Sequence, residues 1–246
     1  MYNLPVYFVS DNHFKMDVDQ SERERRQKLY HVFDVIKSTG GTLIIGGDFF
    51  DFWFNYRYVV PAGYSDLLEK LEELHHSGIQ ISFVLGNHDF WDFGYFNKKF
   101  GAEVIDGNLD FSHVSQKIQV THGDGLLRND RGYRLMKKVI RSKIAISLFR
   151  QFHPDWGCSL AKKVSKASGH YHHHDNKSEA IRIEMTEYAR SQWELGYSTV
   201  LMGHYHQKGI VEENGHSLIF LGDWLRHFTV TRLSEEGWWQ GEWNEV

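Results

Sequence analysis

Five short clusters of Asp, Asn and His punctuate this chain: "SDNH" (10–13), "GGDFFDFW" (46–53), "GNHDF" (86–90), "THGD" (121–124) and "GHYH" (203–206). Carboxylate, amide oxygen and imidazole are the ligands that suit Mn, Fe, Zn or Co. Any one cluster alone reads better as a turn, because Asp and Asn side chains bond the backbone where strands end. Gly-Asn-His-Asp, however, is expected by chance on the order of 0.004 times in such a composition, and Gly-His-x-His on the order of 0.1 times. Five clusters in succession, mostly after apolar strands, therefore point to one site assembled at strand ends. Two cations held a few ångströms apart by such groups would acidify a water between them and clamp phosphoryl oxygens during in-line attack. A protonated His88 could stabilise charge building on the phosphoryl or leaving oxygen. No Ser or Cys nucleophile is required, and the single cysteine, Cys158, has no recognisable His motif nearby.

Those residues need strands to carry them. "VYFVSD", "TLIIGGD" and "IQISFVLGNHD" read as short buried strands. The first intervening helix has Ser21 and Glu24 as a capping box, then Leu29, Val32, Phe33 and Ile36 at helical spacing, with Gly40 and Gly41 closing it. The second runs through Leu67, Leu71 and Leu74. Strand–helix–strand repetition predicts a parallel sheet in this half. The last fifty residues read as strands joined by tight turns, with Asn214-Gly215 a two-residue hairpin signal. Between the halves, residues 126–196 read as a helical insertion within one domain spanning 1–246. Phe49, Phe50, Phe52 and Trp53 are expected in the core, with one or two free to wall a groove. A chain of 246 residues, 41% hydrophobic and 24% charged, suits one soluble globular domain. One cysteine excludes an internal disulfide framework and fits a reducing compartment. "MYNLPVYFVSDNH" lacks a basic n-region and reads as a first strand rather than a signal peptide. No window approaches the roughly 18 apolar residues of a membrane span.

Charge is unevenly spread. Between Arg128 and Lys166 eleven Lys or Arg face two acids, a local charge of +9 that leaves −13 elsewhere in a chain of net charge −4. This asymmetry suits an anionic partner meeting one face, or a solvated basic helix. In "YRLMKKVIRSKIAISLF", Met136, Val139, Ile140 and Ile144 recur at helical spacing while Arg134, Lys137, Lys138 and Arg141 take other sides. Such a helix can lie on an anionic membrane, each basic residue contributing on the order of 1 kcal/mol, or pack its stripe onto the core. Single-stranded nucleic-acid binders interleave basic residues with aromatics. Here the partners are aliphatic, so nucleic acid is the less favoured partner. His170, His172, His173 and His174 read as a solvated polar loop. Asp223 and His227, after "SLIFLGD", either assist the site or, as the commoner reading has it, mark a turn begun by Asp223.

The ordered motifs from Asp11 to His206 resemble those of the calcineurin-like metallophosphoesterases. That resemblance implies a four-layer α/β/β/α sandwich holding two divalent metals, Mn foremost, with Fe or Zn as alternatives. On it, Asp11, His13, Asp48 and His206 hold the first metal, Asp48 bridges, and Asn87, His122 and His204 complete the second. His88 is the catalytic histidine, with Asp89 behind it as an orienting carboxylate. "GGDFFDFW" and "THGDGLLRNDRGYR" further resemble bacterial UDP-2,3-diacylglucosamine diphosphatases, peripheral membrane enzymes of lipid A synthesis that release UMP and an acylated sugar phosphate. Those enzymes also carry a helical insertion between the His-Gly-Asp and Gly-His-x-His motifs. The resemblance implies a nucleotide-lipid substrate contacted by Asn87, His88, Asp130 and Tyr133, and a cytoplasmic enzyme resting on the inner membrane through its basic insertion. The best-known branch carries Arg where this chain has His88; His fits the wider superfamily and a sister branch of lipid hydrolases. The alternative is a phosphodiesterase of nucleic acid or small soluble phosphodiesters. Oligomeric state is left open.

Overall fold

In β1 (Val6–Val9) every residue is buried, and alternate side chains enter different cores. Val6 and Phe8 join Ile44 of β2 (Thr42–Ile45) and Val84 of β3 (Gln80–Val84), facing Val120, Leu201 and Ile219 of a second sheet. Tyr7 and Val9 turn the other way, to Leu29, Val32, Phe33 and Ile36 of α1 (Gln20–Thr39) and Leu67, Leu71 and Leu74 of α2 (Ser65–His76). A short α3 (Tyr95–Phe100) adds Phe96 and Phe100 to this cluster. On the far side, Val200, Met202, Leu218 and Phe220 of the second sheet pack against Met185, Ala189 and Trp193. Three stacked cores thus separate four layers, α/β/β/α, in a computed structural model that describes residues 2–160 and 178–246.

The first sheet has the order β11-β10-β1-β2-β3-β4, with β4 (Glu103–Ile105), β10 (Thr229–Ser234) and β11 (Gly237–Glu242). Its members β1 to β4 are parallel. The second has the order β5-β6-β7-β9-β8, formed by β5 (Leu109–His113), β6 (Gln116–Thr121), β7 (Thr199–Met202), β8 (Lys208–Glu213) and β9 (His216–Leu221). Its strands β6, β7 and β9 are parallel. Parallel strands end at a common edge, and here the two edges meet: His122, just past β6, donates from Nδ1 to Gly46 O, just past β2, at 3.0 Å.

Local signals held unevenly. Gly40 closes α1 at φ 77°, and Asn214 and Gly215, at φ 51° and 80°, turn β8 into β9. The capping box expected at Ser21 and Glu24 does not form. Asp19 is the N-cap and accepts the Glu22 N–H at 2.8 Å. A carboxylate there also meets the positive end of the helix dipole. Phe49, Phe50 and Trp53 are fully buried, whereas Phe52 is half-buried between Trp91 and Phe149.

The described parts of the stretch 126–196 have two characters. Helix α6 (Ser178–Glu194) carries Met185, Ala189 and Trp193, spaced four apart, and forms the outer layer over the second sheet. Helices α4 (Arg131–Ile140) and α5 (Lys143–Phe149) bury no residue. Met136 and Val139 are exposed, and Ile144 and Leu148 are 74% and 62% exposed. The apolar stripe therefore faces outward instead of packing on the core. The His170–His174 run lies outside the described residues. Among those described, no helix is long and apolar enough to cross a membrane.

Candidate metal centre

The strand ends deliver their residues through strained backbone. Of the eight non-glycine residues with positive φ among those described, five are Asp11, His13, Asp48, His204 and His206, at 46° to 66°. Few L-residues enter this region, and such strain gathers at functional sites. The motif glycines allow the close approach: a Cβ at Gly86 would strike the Asp48 carboxylate, and one at Gly203 the Asp11 carboxylate.

Among the described residues three groups of three potential ligands result, Asp11–His13–His206, His13–Asp51–His88 and Asp48–His122–His204, each with its ligand atoms within 4.8 Å of one another. Asp48 joins the first and the last, its Oδ2 lying 3.7 Å from His13 Nε2 and 3.3 Å from His122 Nε2. Asn87 Oδ1 is 3.1 Å from the same His122 nitrogen. Because His122 Nδ1 donates to Gly46 O, its Nε2 is the nitrogen turned to the centre. The Nε2 of His13 is buried with no hydrogen-bond partner among the described residues. Buried polar atoms are rarely left so, and a cation among these oxygen and nitrogen donors would satisfy it. The donor set fits divalent metals.

His88 borders this centre, its ring edge-on to His13 at 4.7 Å. Asp89, expected to orient that ring from behind, has another task. Its carboxylate accepts the backbone N–H groups of Gly86 (2.8 Å), Phe49 (2.7 Å) and Asp48 (3.3 Å). Two loops that end strands leave these donors open, and the buried carboxylate satisfies them. The His88 ring is held instead by the Asp51 carbonyl, to which Nδ1 donates at 2.6 Å. Replacing Asp89 by Ala is expected to cost about 3 kcal/mol, because three buried N–H groups lose their acceptor. Urea unfolding should show the loss with or without added metal.

Over the rim lies α4. The Tyr133 hydroxyl donates to Asp124 Oδ2 at 2.7 Å, and Lys137 Nζ sits 2.7 Å from that same oxygen. The Tyr133 ring is 6.3 Å from that of His204. Arg141 pairs with Asp106, donates to Gly86 O at 3.2 Å, and lies over the Phe90 ring at 4.6 Å. Tyr133, Lys137 and Arg141 are spaced four apart, so one helical face points to the centre. That polar stripe was the signal available for Lys137 and Arg141, which sequence reasoning did not place at the site. Asp51 was likewise missed, though it stands three residues after Asp48. Asp130 is the N-cap of α4 without a side-chain capping bond, and the described hydrogen bonds do not bring it to the centre.

Residues 4–208 match the calcineurin-like phosphoesterase family. The chain belongs to that family. A UDP-2,3-diacylglucosamine hydrolase of Porphyromonas gingivalis is 30% identical, with 90% of this chain and 91% of that protein covered. One of Neisseria meningitidis serogroup B is 27% identical over 95% of both. Among solved structures, the phosphoesterase Yfce of E. coli aligns with 98% of this chain and 94% of its own, at 14% identity and a TM-score of 0.49. This calcineurin-like enzyme is a metal-dependent hydrolase of phosphoric esters or anhydrides. Membership implies divalent metal ions, and the grouped ligands are where the chain could hold them.

Electrostatics agree with that placement. Burial opposes charge on His122, yet the Asp48 carboxylate outweighs it and pushes the imidazole up to about 10. Burial also opposes charge on His206 and His88; the neighbouring Asp223 carboxylate and the charge of Asp48, respectively, raise them regardless. Burial, with His88 nearby, holds His13 well below the ordinary range. Burial pushes Asp89 up to about 7, with Asp48 adding to it. Without cations, protonated imidazoles offset the buried carboxylates. Metal uptake must therefore expel the His122 proton, so affinity rises with pH up to about 10 and protons are released near neutrality. Titration calorimetry with Mn²⁺ in buffers of unequal ionisation enthalpy should show heats that differ with the buffer; equal heats would contradict this.

Proposed function

We propose that this enzyme is a dinuclear-metal pyrophosphatase that hydrolyses UDP-2,3-diacylglucosamine, or a related nucleotide lipid, to UMP and an acylated sugar 1-phosphate. The observation that carries this reading is the two-faced helix α4. Its Tyr133–Lys137–Arg141 face meets the metal-ligand loops, while Leu135, Met136 and Val139 are exposed beside Ile144 and Leu148 of α5. A diphosphate needs cations and acyl chains need an apolar surface, and this junction offers both. The names of the relatives support the same substrate class.

In this reading Asp11, His13, Asp48 and His206 hold the first metal, and Asp48, Asn87, His122 and His204 the second. Mn is the leading candidate, with Fe and Zn as alternatives that accept the same donors. Divalent ions bound there supply Lewis acidity for the phosphoryl oxygens and acidify water near neutral pH. Water adds to one phosphorus and gives up a proton to solvent, the anhydride P–O bond breaks, and its electron pair leaves on the departing phosphate oxygen. His88, with Nδ1 committed to Asp51 O, has Nε2 left to donate to that oxygen. Asn87, Tyr133 and Asp130 line the approach. The exposed apolar residues, flanked by Lys138, Lys143 and Arg150, rest on the anionic inner face of the membrane. Nucleic acid is a poorer fit: the basic residues from Arg134 to Lys143 are interleaved with aliphatic side chains and not with the aromatics on which single-stranded bases stack.

Turnover of UDP-2,3-diacylglucosamine in detergent micelles, with Mn²⁺ added or chelated and products identified by mass, tests the proposal. Metal-dependent UMP release is expected. A metal-loaded protein that ignores the lipid but cleaves soluble diesters would move the assignment to a phosphodiesterase.

A further inference from the structure

One loop beyond the family-matched residues reaches the centre. The match ends at residue 208, yet β9 leads into Gly222-Asp223-Trp224, and the Trp224 N–H donates to Asp11 O at 3.1 Å. Asp223 is buried, and its two oxygens have different surroundings. Oδ1 accepts the N–H groups of Leu225 (2.8 Å), Arg226 (2.6 Å) and His227 (3.2 Å), which closes a turn. Oδ2 lies 2.8 Å from His227 Nδ1 and 3.7 Å from His206 Nδ1. The opposite nitrogen of His206, Nε2, is 3.8 Å from Asp11 Oδ1, and its ring stacks on His13 at 5.2 Å and 11°. A turn accounts for Oδ1 alone. The second oxygen, withdrawn from water, faces two imidazoles. An imidazole whose Nδ1–H points at a carboxylate presents its Nε2 lone pair on the other side.

We propose that Asp223 is a positioning residue for the first metal site: its Oδ2 draws the Nδ1–H of His206 and fixes that ring with Nε2 toward Asp11, while His227 braces the same oxygen. The inference rests on the reading that Asp11, His13 and His206 hold a cation. It also accounts for a Gly-Asp after an apolar strand, the pattern that Gly47-Asp48 shows after β2, outside the family-matched span.

Asp223→Asn separates the two tasks. The amide keeps one oxygen for the turn, but its NH₂ can only donate and so cannot take the His206 proton. With the full chain stripped by chelator and titrated with Mn²⁺ in a calorimeter, the variant should lose about 10- to 100-fold in affinity at one of two sites. Its kcat/KM should fall at limiting Mn²⁺ and recover with excess Mn²⁺, a rescue that a damaged fold would not show. Wild-type affinity in a folded variant would overturn the inference. If the variant fails to fold, the Zn²⁺-loaded wild-type chain decides. Long-range ¹H–¹⁵N spectra, with His206 assigned by loss of its signal in His206→Gln, should show an Nδ1-protonated ring, and an Nε2-protonated ring would overturn the inference. A wild-type chain that takes up no cation would remove the metal reading and this inference together, whereas wild type and variant binding equally would remove only the inference.

Discussion

Replacing Asp48 by Asn is expected to lower kcat/KM by about 10³-fold or more, since the Lewis acidity of a two-metal site contributes several kcal/mol and each 1.4 kcal/mol is tenfold. Asp48 is the residue on which both proposed metal sites depend. Its Oδ2 lies between His13 and His122, and its Oδ1 accepts the backbone N–H of His88 at 2.8 Å. Its own N–H is anchored by Asp89. Asn preserves size and the His88 hydrogen bond but removes the charge that draws cations to the centre. Metal analysis of the variant should therefore show fewer than two ions retained after dialysis, with the fold intact by circular dichroism. Two tightly held ions and near wild-type turnover would mean that Asp48 is not the shared ligand. A conservative substitution with so large an effect is expected here because the loss falls on two imidazoles at once, and both rings stay buried beside a neutral amide.

Much of this site was legible because strand ends announce themselves. Apolar runs such as "TLII" and "ISFV" stop at Gly, and the polar residue that follows has nowhere to go but the rim of a parallel sheet. What could not be read was the direction of each side chain once the rims of two sheets meet. In Asn87-His88-Asp89, both final residues look equally fit to serve the centre. Asp89 turns back to Gly86, Asp48 and Phe49 because those three N–H groups come together only when the β2 and β3 loops are side by side. The same blindness affected the helices. Met185, Ala189 and Trp193 in α6, and Met136, Val139 and Ile140 in α4, both make apolar stripes at helical spacing. One packs on the second sheet and the other is left outside, and only the position of each helix relative to that sheet distinguishes them. Asp223 is the sharpest case. As a turn residue it was read correctly, since Oδ1 closes the turn; its second oxygen meets His206, a contact spanning 17 residues that periodicity does not encode.

His88 borders the candidate metal centre, and its replacement should separate acid catalysis from metal binding. His88→Ala is expected to reduce kcat by about 10² to 10⁴-fold, the usual contribution of a positioned acid, while metal stoichiometry stays at the wild-type value. His88 groups with His13 and Asp51 and not with Asp48, and its Nδ1 is committed to the Asp51 carbonyl. His88→Arg should recover part of that loss. A guanidinium carries enough donors to satisfy Asp51 O and still reach a phosphoryl oxygen. The pH profiles carry the distinction. Burial works against a charged His88, but Asp48 outweighs it and raises the imidazole above its ordinary value. In the proposed function the protonated form is the working one, so wild-type activity is expected to fall on the alkaline side as that proton is lost. Arg remains charged across the range, so the alkaline fall should disappear in His88→Arg even if its maximal rate is lower. An alkaline limb that survives the substitution unchanged would assign the titration to another group and leave His88 with no acid role.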